Sequence, residues 1–221
     1  MEYGYFDNEN REYVITRPDT PMSWINYLGT PEYGALISNN ASGYSFYKSA
    51  RLHRLLRFRF NSIPMDRPGR YLYIRDDRSK DYWSASWQPV GKETDDYYSE
   101  CRHGMGYTRF ISEYSGIRGN YRVFVPLGKP LEFWEIELEN KTEKERELSL
   151  FSYAEYCFWN MDQDLTNFQY ILYTCRMGYL DGIIDYSMLF AGGDTPKAFM
   201  ASKLPVVSYD TDRDVFIGNY H

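Results

Sequence analysis

Hydrophobic and polar residues alternate along much of this chain. Between residues 131 and 140, the apolar side chains of Trp134, Ile136 and Leu138 are separated by glutamates. Since successive side chains of a strand point to opposite faces, this period of two predicts a strand with one buried and one solvated face. After a polar stretch, residues 148–158 are apolar on both faces. The pattern predicts a hairpin that leads into a central strand.

Short apolar stretches separated by turn residues recur upstream of this region. They lie at residues 13–16, 34–38, 44–47, 55–60, 71–75, 107–114 and 121–125. Residues 115–120 contain serine, asparagine and two glycines, which predicts a turn between the last two stretches. We find no long amphipathic helix. Many short strands without intervening helices are typical of stacked antiparallel sheets, so the predicted fold class is all-β, an antiparallel β-sandwich.

The length and composition fit one domain that spans residues 1–221. Of the 221 residues, 43% are hydrophobic and 25% are charged, which excludes a disordered or fibrous chain. Aromatic residues reach 19%, and aromatic rings suit pleated sheets and also stack on sugars or bases. The last twelve residues end just after a strand-like stretch. We therefore expect the domain to be incomplete at its C-terminal end.

The charge balance argues against nucleic acid as a partner. The chain carries 25 basic and 31 acidic residues, a net charge of −6. Arg51, Arg54, Arg57 and Arg59 alternate with apolar residues, which is compatible with single-strand binding or with a strand that has one solvated face. The acidic balance favours the second interpretation. No stretch approaches the roughly 20 apolar residues of a membrane helix, so we also expect no membrane partner.

Cysteine and histidine are few and scattered. Three cysteines leave at least one unpaired, and the chain starts without a charged and apolar leader, so we expect a reduced, cytoplasmic protein. The three histidines and three cysteines lack the spacing of a metal site. The two glycines at 104 and 106 lack the third glycine of a dinucleotide site. We therefore expect neither a metal nor a cofactor.

Residues 159–170 form the densest cluster of amide, carboxylate and aromatic side chains in the chain. Amides and carboxylates pair with hydroxyl groups, and rings cover the apolar face of a pyranose, so this segment suits sugar recognition. A polar loop that satisfies its own backbone is an equally good interpretation of the composition.

A series of motifs closely resembles the N-terminal part of glycoside hydrolase family 94, the family of cellobiose and N,N′-diacetylchitobiose phosphorylases. The similar segments, in order, are residues 3–7, 10–21, 24–29, 37–39, 43–47, 66–71, 81–83, 87–90, 101–104, 124–126 and 212–214. They cover essentially the whole chain.

The resemblance implies an N-terminal β-sandwich, or supersandwich, that is truncated before an (α/α)6 barrel. In this family the barrel supplies the general-acid Asp and the phosphate site. The full-length parent would be a glycosyltransferase that cleaves a β-linked disaccharide with phosphate, inverts the anomeric centre, and releases an α-sugar 1-phosphate and a free sugar. The resemblance therefore places no catalytic residue within residues 1–221, and the isolated fragment is expected to be inactive.

The resemblance also implies a sugar-contacting segment and a homodimer. The family's Asn-Phe-Gln segment approaches the reducing-end sugar, and Asn167, Phe168 and Gln169 stand in its place here. Tyr170 follows, where cellobiose phosphorylases typically have Arg. The predicted substrate-binding residues are thus Gln169, Asn167 and Tyr170. The predicted partners are a disaccharide or monosaccharide acceptor, phosphate as co-substrate, and a second copy of the chain. Two alternatives stay open: a free-standing carbohydrate-binding module, and a structural dimerisation domain.

Overall fold

The computed structural model describes residues 2–58, 68–166, 175–188 and 197–218. These residues form four β-sheets, and every strand pair in them is antiparallel. The predicted all-β, antiparallel fold is confirmed. The expectation of two layered sheets was too coarse, because the described strands divide into four sheets.

Two of the sheets are large. The six-stranded sheet has the order β1-β2-β9-β10-β11-β12, with the bounds β1 Gly4–Asp7, β2 Glu12–Ile15, β9 Tyr98–His103, β10 Tyr107–Tyr114, β11 Ile117–Phe124 and β12 Phe133–Asn140. The five-stranded sheet has the order β14-β6-β5-β4-β3, with the bounds β3 Ile25–Gly29, β4 Tyr33–Ser38, β5 Gly43–Tyr47, β6 Arg54–Leu56 and β14 Tyr156–Trp159.

Two sheets have three strands each. One has the order β13-β7-β8, with the bounds β7 Tyr71–Asp76, β8 Tyr82–Ser84 and β13 Leu148–Tyr153. The other has the order β15-β16-β17, with the bounds β15 Cys175–Leu180, β16 Ile183–Met188 and β17 Lys197–Ala201. The helices of the described residues are short: α1 spans Met161–Thr166 and α2 spans Arg213–Ile217.

The predicted hairpin after residue 140 was wrong. Strand β12 is present with the expected alternation, but it pairs with β11, whereas β13 pairs with β7 in another sheet. The connection between them crosses from one sheet to the next, and Arg146 fixes this crossing with bonds to Asp76 Oδ2 and the Ser115 carbonyl. The expected central strand is divided into β13 and β14, and each lies at the edge of its sheet in the described residues.

The turn between β10 and β11 is tighter than residues 115–120 suggest. Only Ser115 and Gly116 separate the two strands, and both have positive φ, 51° and 74°. Two such residues form the two-residue turn whose twist matches a hairpin, so residues 117–120 extend the strand.

One hydrophobic core joins three of the four sheets. The inward faces of the six-stranded sheet, the five-stranded sheet and the β7 sheet contribute to it, through residues such as Phe110, Ile37 and Ile74. Trp83 and Tyr121 are among its largest fully buried side chains. The core therefore packs these three sheets against one another.

A buried ion pair crosses this core. Arg70, which is fully buried, donates through Nε and Nη2 to the two carboxylate oxygens of Glu132, at 2.6 and 3.1 Å, and through Nη1 to the Leu36 carbonyl. The Tyr121 hydroxyl donates to the Arg70 carbonyl, and Trp134 Nε1 donates to Glu132. The charges are paired and further hydrogen-bonded, as burial of an ion pair requires.

Candidate functional site

The predicted sugar-contacting residues Asn167, Gln169 and Tyr170 lie outside the described residues. The chain that leads to them is described as far as Thr166, the last residue of α1. The candidate site is therefore built from α1 and the elements that hold it.

Asn160 and Arg51 hold the start of α1. The Asn160 side-chain oxygen accepts from the amide of Asp162 at 2.9 Å, as a helix-capping amide does. The amide of Met161 donates to the Arg51 carbonyl at 2.7 Å, and the Arg51 guanidinium donates to Asp162 Oδ2 at 2.8 Å. These bonds fix α1 against the turn before β6.

A buried cluster of charges, here called the ion cluster, holds α1 from its inner side. It consists of Arg57, Glu155, Asp164 and Arg213. Arg57 Nη1 donates to Glu155 Oε2, Arg57 Nε lies 3.4 Å from Asp164 Oδ1, and Arg213 Nε donates to Glu155 Oε1 at 3.0 Å. The side chains of Arg57, Glu155 and Asp164 are all less than a tenth exposed. The cluster therefore joins the end of β6, the β13–β14 connection, α1 and α2.

Aromatic stacking strengthens the attachment of α2. Phe216 stacks on Tyr153 with ring centroids 4.8 Å apart, and the Tyr153 hydroxyl donates to Glu155 Oε1. Phe216 also contacts Tyr73, whose pKa burial raises to about 12. Asp212 caps α2 by accepting from the amides of residues 214 and 215. The residues before position 218 are thus tied back to the β7 sheet.

A second, smaller core lies beside the ion cluster. It contains Cys157, Tyr186 and Met188, and Tyr156 stacks on Tyr186 at 5.0 Å. Burial raises the pKa of both tyrosines, so they are neutral at physiological pH. This core joins β14 to the β16 sheet and completes the frame around α1.

The chemistry of the ion cluster is structural. It contains two guanidinium groups and two carboxylates, so its formal charge is zero. Each carboxylate forms an ion pair with Arg57, so the charges of the cluster are paired within the protein. The arrangement can position α1 against β6 and α2.

The arginines at positions 51, 54 and 57 do not share a solvated face. Arg54 and Arg57 are 6% and 2% exposed, and the Arg54 guanidinium lies 3.9 Å from the ring centroid of Tyr44. Arg51 is exposed but paired with Asp162, and Arg59 lies outside the described residues. Sequence reasoning missed the ion cluster, because the partners Arg57 and Glu155 are 98 positions apart. The available signal was the apolar sequence around Arg54 and Arg57.

The described part of the chain holds no metal-binding cluster, no disulfide and no membrane-spanning helix. No group of three or more His, Cys, Asp or Glu side chains there could hold a metal ion. The three cysteines, all among the described residues, form no disulfide bond. No helix within the described residues has the length and apolar character needed to span a membrane.

Comparison with known proteins identifies the class of domain. Residues 11–221 match the family described as glycosyl hydrolase 94, supersandwich domain. The chain belongs to this family, which confirms the resemblance seen in the sequence motifs.

Individual relatives are disaccharide phosphorylases. Over all 221 residues the chain is 44% identical to the N,N′-diacetylchitobiose phosphorylase of Vibrio furnissii and 45% identical to that of Vibrio proteolyticus. It is 29% identical, over 99% of its length, to the solabiose phosphorylase of Paenibacillus borealis. In each case the chain spans 28% of the relative's length.

Proposed function

We propose that this chain is the N-terminal domain of an inverting disaccharide phosphorylase, with carbohydrate-binding and dimerisation roles. The observation that carries the proposal is the 44–45% identity to two N,N′-diacetylchitobiose phosphorylases over the whole chain. The identity to the solabiose phosphorylase is lower, so we favour a substrate of the N,N′-diacetylchitobiose type over solabiose.

In the proposed reaction, phosphate takes the place of the water used by an inverting hydrolase. A general acid protonates the leaving oxygen while phosphate attacks the anomeric carbon from the opposite face, giving an α-sugar 1-phosphate. Phosphate is itself an anionic nucleophile, so no protein base is needed to activate it. We assign the general acid to a part of the protein after residue 221, and we expect no cofactor apart from phosphate as co-substrate.

Within the chain, Gln169, Asn167 and Tyr170 are the proposed contacts to the reducing-end sugar. The ion cluster supports this assignment, because it holds α1, the helix directly before these residues, against β6 and α2. We further propose a cytoplasmic homodimer as the working form of the full-length protein.

A chimera tests the proposal. The first 28% of the Vibrio furnissii N,N′-diacetylchitobiose phosphorylase is replaced by this chain, and phosphate consumption is measured with N,N′-diacetylchitobiose. We expect phosphate-dependent cleavage by the chimera and none by the chain alone.

The control is the unmodified Vibrio enzyme, assayed for folding by circular dichroism beside the chimera. A folded chimera without activity would contradict the proposal and favour a free-standing carbohydrate-binding module or a structural dimerisation domain. Sugar binding by the chain alone would separate these two alternatives.

A further inference from the structure

An aromatic pocket opens between the edge strands of the two large sheets, far in sequence from residues 167–170. It is lined by Phe6, Tyr13, Trp24, Ile25, Asn26 and His103 and has a volume of about 430 Å³. Strands β1, β2 and β9 supply one wall and the start of β3 supplies the other. Its size falls within the range of small-molecule sites.

Three rings form the walls of the pocket. Phe6 and Tyr13 meet edge to face with centroids 4.8 Å apart, and Tyr13 lies 5.7 Å from Trp24. Phe6 is 75% exposed, so a large apolar ring is held at the surface by a neighbouring ring. Such a surface is costly to leave in water and is well suited to cover the apolar face of a ligand.

The floor of the pocket is hydrogen-bonded and uncharged. His103 Nε2 lies 3.2 Å from the Trp24 carbonyl, and His103 Nδ1 lies 3.0 Å from Thr108 Oγ1. A neutral imidazole satisfies both contacts, and burial lowers the pKa of His103 to about 4. Asn26 Nδ2 donates to the carbonyls of Gly104 and Tyr107. No lining side chain is charged at neutral pH, which disfavours an anionic or cationic ligand.

Three polar atoms around the pocket have no hydrogen-bond partner among the described residues. The Tyr13 hydroxyl, Trp24 Nε1 and Asn26 Oδ1 make no hydrogen bond within the described residues, and all three reach solvent. By contrast, Trp87 Nε1 and Trp134 Nε1 donate to oxygen atoms of the protein. The pocket therefore offers one donor, one acceptor and one group that can do both.

The larger surface cavity, of about 660 Å³, does not have these properties. It is lined by charged side chains of turns, including Asp76 and Arg146, which are bonded to each other. Ser115 and Thr142 also bond within the protein. Its polar groups stabilise the crossing between β12 and β13.

We propose that the aromatic pocket is a second saccharide site, which binds one neutral pyranose ring. The ring's apolar C–H face would lie on Phe6 and Trp24, and its hydroxyl groups would pair with Tyr13, Trp24 Nε1 and Asn26 Oδ1. The site goes beyond the proposed function, and only the choice of glucose-type and N-acetylglucosamine-type probes depends on it.

Binding to the full chain tests the site. Ligand-observed NMR with glucose, N-acetylglucosamine, cellobiose and N,N′-diacetylchitobiose should give saturable binding to at least one probe. Tyr13→Phe removes a hydroxyl that has no protein partner, so the fold should persist while the dissociation constant rises about threefold to tenfold. Phe6→Ala should raise it by a similar factor. Inorganic phosphate should not compete.

The matched controls are Tyr27→Phe and Phe199→Ala, which remove the same groups from exposed residues outside the pocket. Both should bind like the parent. Absence of saturable binding, or equal loss in the controls, would overturn the site. The site would also be overturned if the chain self-associated in a concentration-dependent way and Phe6→Ala abolished that association. This surface would then be an interface between copies of the chain. The binding measurement does not depend on phosphate consumption by the chimera. Failure of the saccharide site can therefore be distinguished from failure of the proposed function.

Discussion

The two cores of this chain are held together differently. The main core draws buried apolar residues from three sheets and contains one bidentate ion pair, Arg70 with Glu132. Within the described residues, the second core has three buried side chains, and the ion cluster lies beside it. Burial of apolar surface contributes most to the stability of the main core. Charge pairing and hydrogen bonding contribute a larger share of the stability around the second core.

This difference separates global from local stability. A large core unfolds as one unit, so damage to it should affect every strand. A region with few apolar contacts opens at lower free energy and on its own. Substitutions in the Arg70–Glu132 pair and in the ion cluster should therefore differ in how much stability they cost and in how much of the chain they affect.

The largest effect is expected for Arg70→Met. The change leaves the Glu132 carboxylate buried without its partner, which should lower the free energy of unfolding of the whole chain by about 3–5 kcal/mol. Chemical denaturation measures this. Adding Glu132→Gln should recover part of the loss. Arg122→Met breaks an exposed pair with Glu135 and should cost no more than about 1 kcal/mol. Equal losses in the two single variants would contradict the comparison.

A smaller and local effect is expected for Arg57→Met. Asp164 also loses its ion pair with Arg57, whereas Glu155 keeps Arg213 as a partner, so the free energy of local unfolding should fall by about 3 kcal/mol, near the lower end for a broken buried pair. Hydrogen exchange should show faster exchange in β14, β16 and α2, with β10 and β11 unchanged. Arg51→Met, which breaks an exposed pair with Asp162, is the control. Faster exchange throughout the six-stranded sheet would show that the two regions are not separate units.

His103 should make the contact between the large sheets sensitive to acid. Its pKa is about 4 in the folded chain and about 6.5 when unfolded. Between these values only the unfolded chain binds the proton, so stability should fall by about 2–3 kcal/mol as the pH drops from 6.5 to 4, and stay constant above. Asp76, with a pKa of about 2, titrates below this window.

The variant His103→Gln isolates this contribution. Its thermal midpoint should lose the slope between pH 6.5 and 4, while the exposed His53→Gln control should keep it. If His103→Gln retains the parent's slope, the neutral imidazole does not account for the acid sensitivity.

The smallest effect concerns sugar affinity. In the chimera, Gln169→Ala removes one amide hydrogen bond and should raise the KM for the acceptor sugar about twofold to tenfold in the synthesis direction. Tyr170→Arg should shift the preference between glucose and N-acetylglucosamine. Thr166→Ala, which alters a bond inside α1, is the control. Unchanged acceptor constants in both folded variants would assign this segment a structural role.

Local sequence pattern predicted the strands better than their partners. The stretch 107–114 coincides with β10, and 71–75 lies within β7. The hairpin after residue 140 failed, because alternation indicates which face of a strand is buried and says nothing of which sheet the next strand joins. That choice depends on contacts such as Arg146 with Asp76, which are 70 positions apart.

The candidate site shows the same limit. Family resemblance indicated residues 167–170, and the composition of residues 159–170 indicated polar recognition. The ion cluster was not predictable from pattern, since arginine and glutamate are normally exposed and their burial depends on partners distant in the chain. The aromatic pocket also combines residues from positions 6 to 103, whose proximity arises only when the two large sheets meet.

The positions of the two cores along the chain bear on the order in which they can form during synthesis. Among the described residues, the main core lies between Tyr13 and Tyr153, so this core can assemble once that length has left the ribosome. The ion cluster needs Arg213 and is complete only about sixty residues later. Until then Glu155 can bond Arg57 but not Arg213, so the frame around α1 becomes complete after the main sheets have formed.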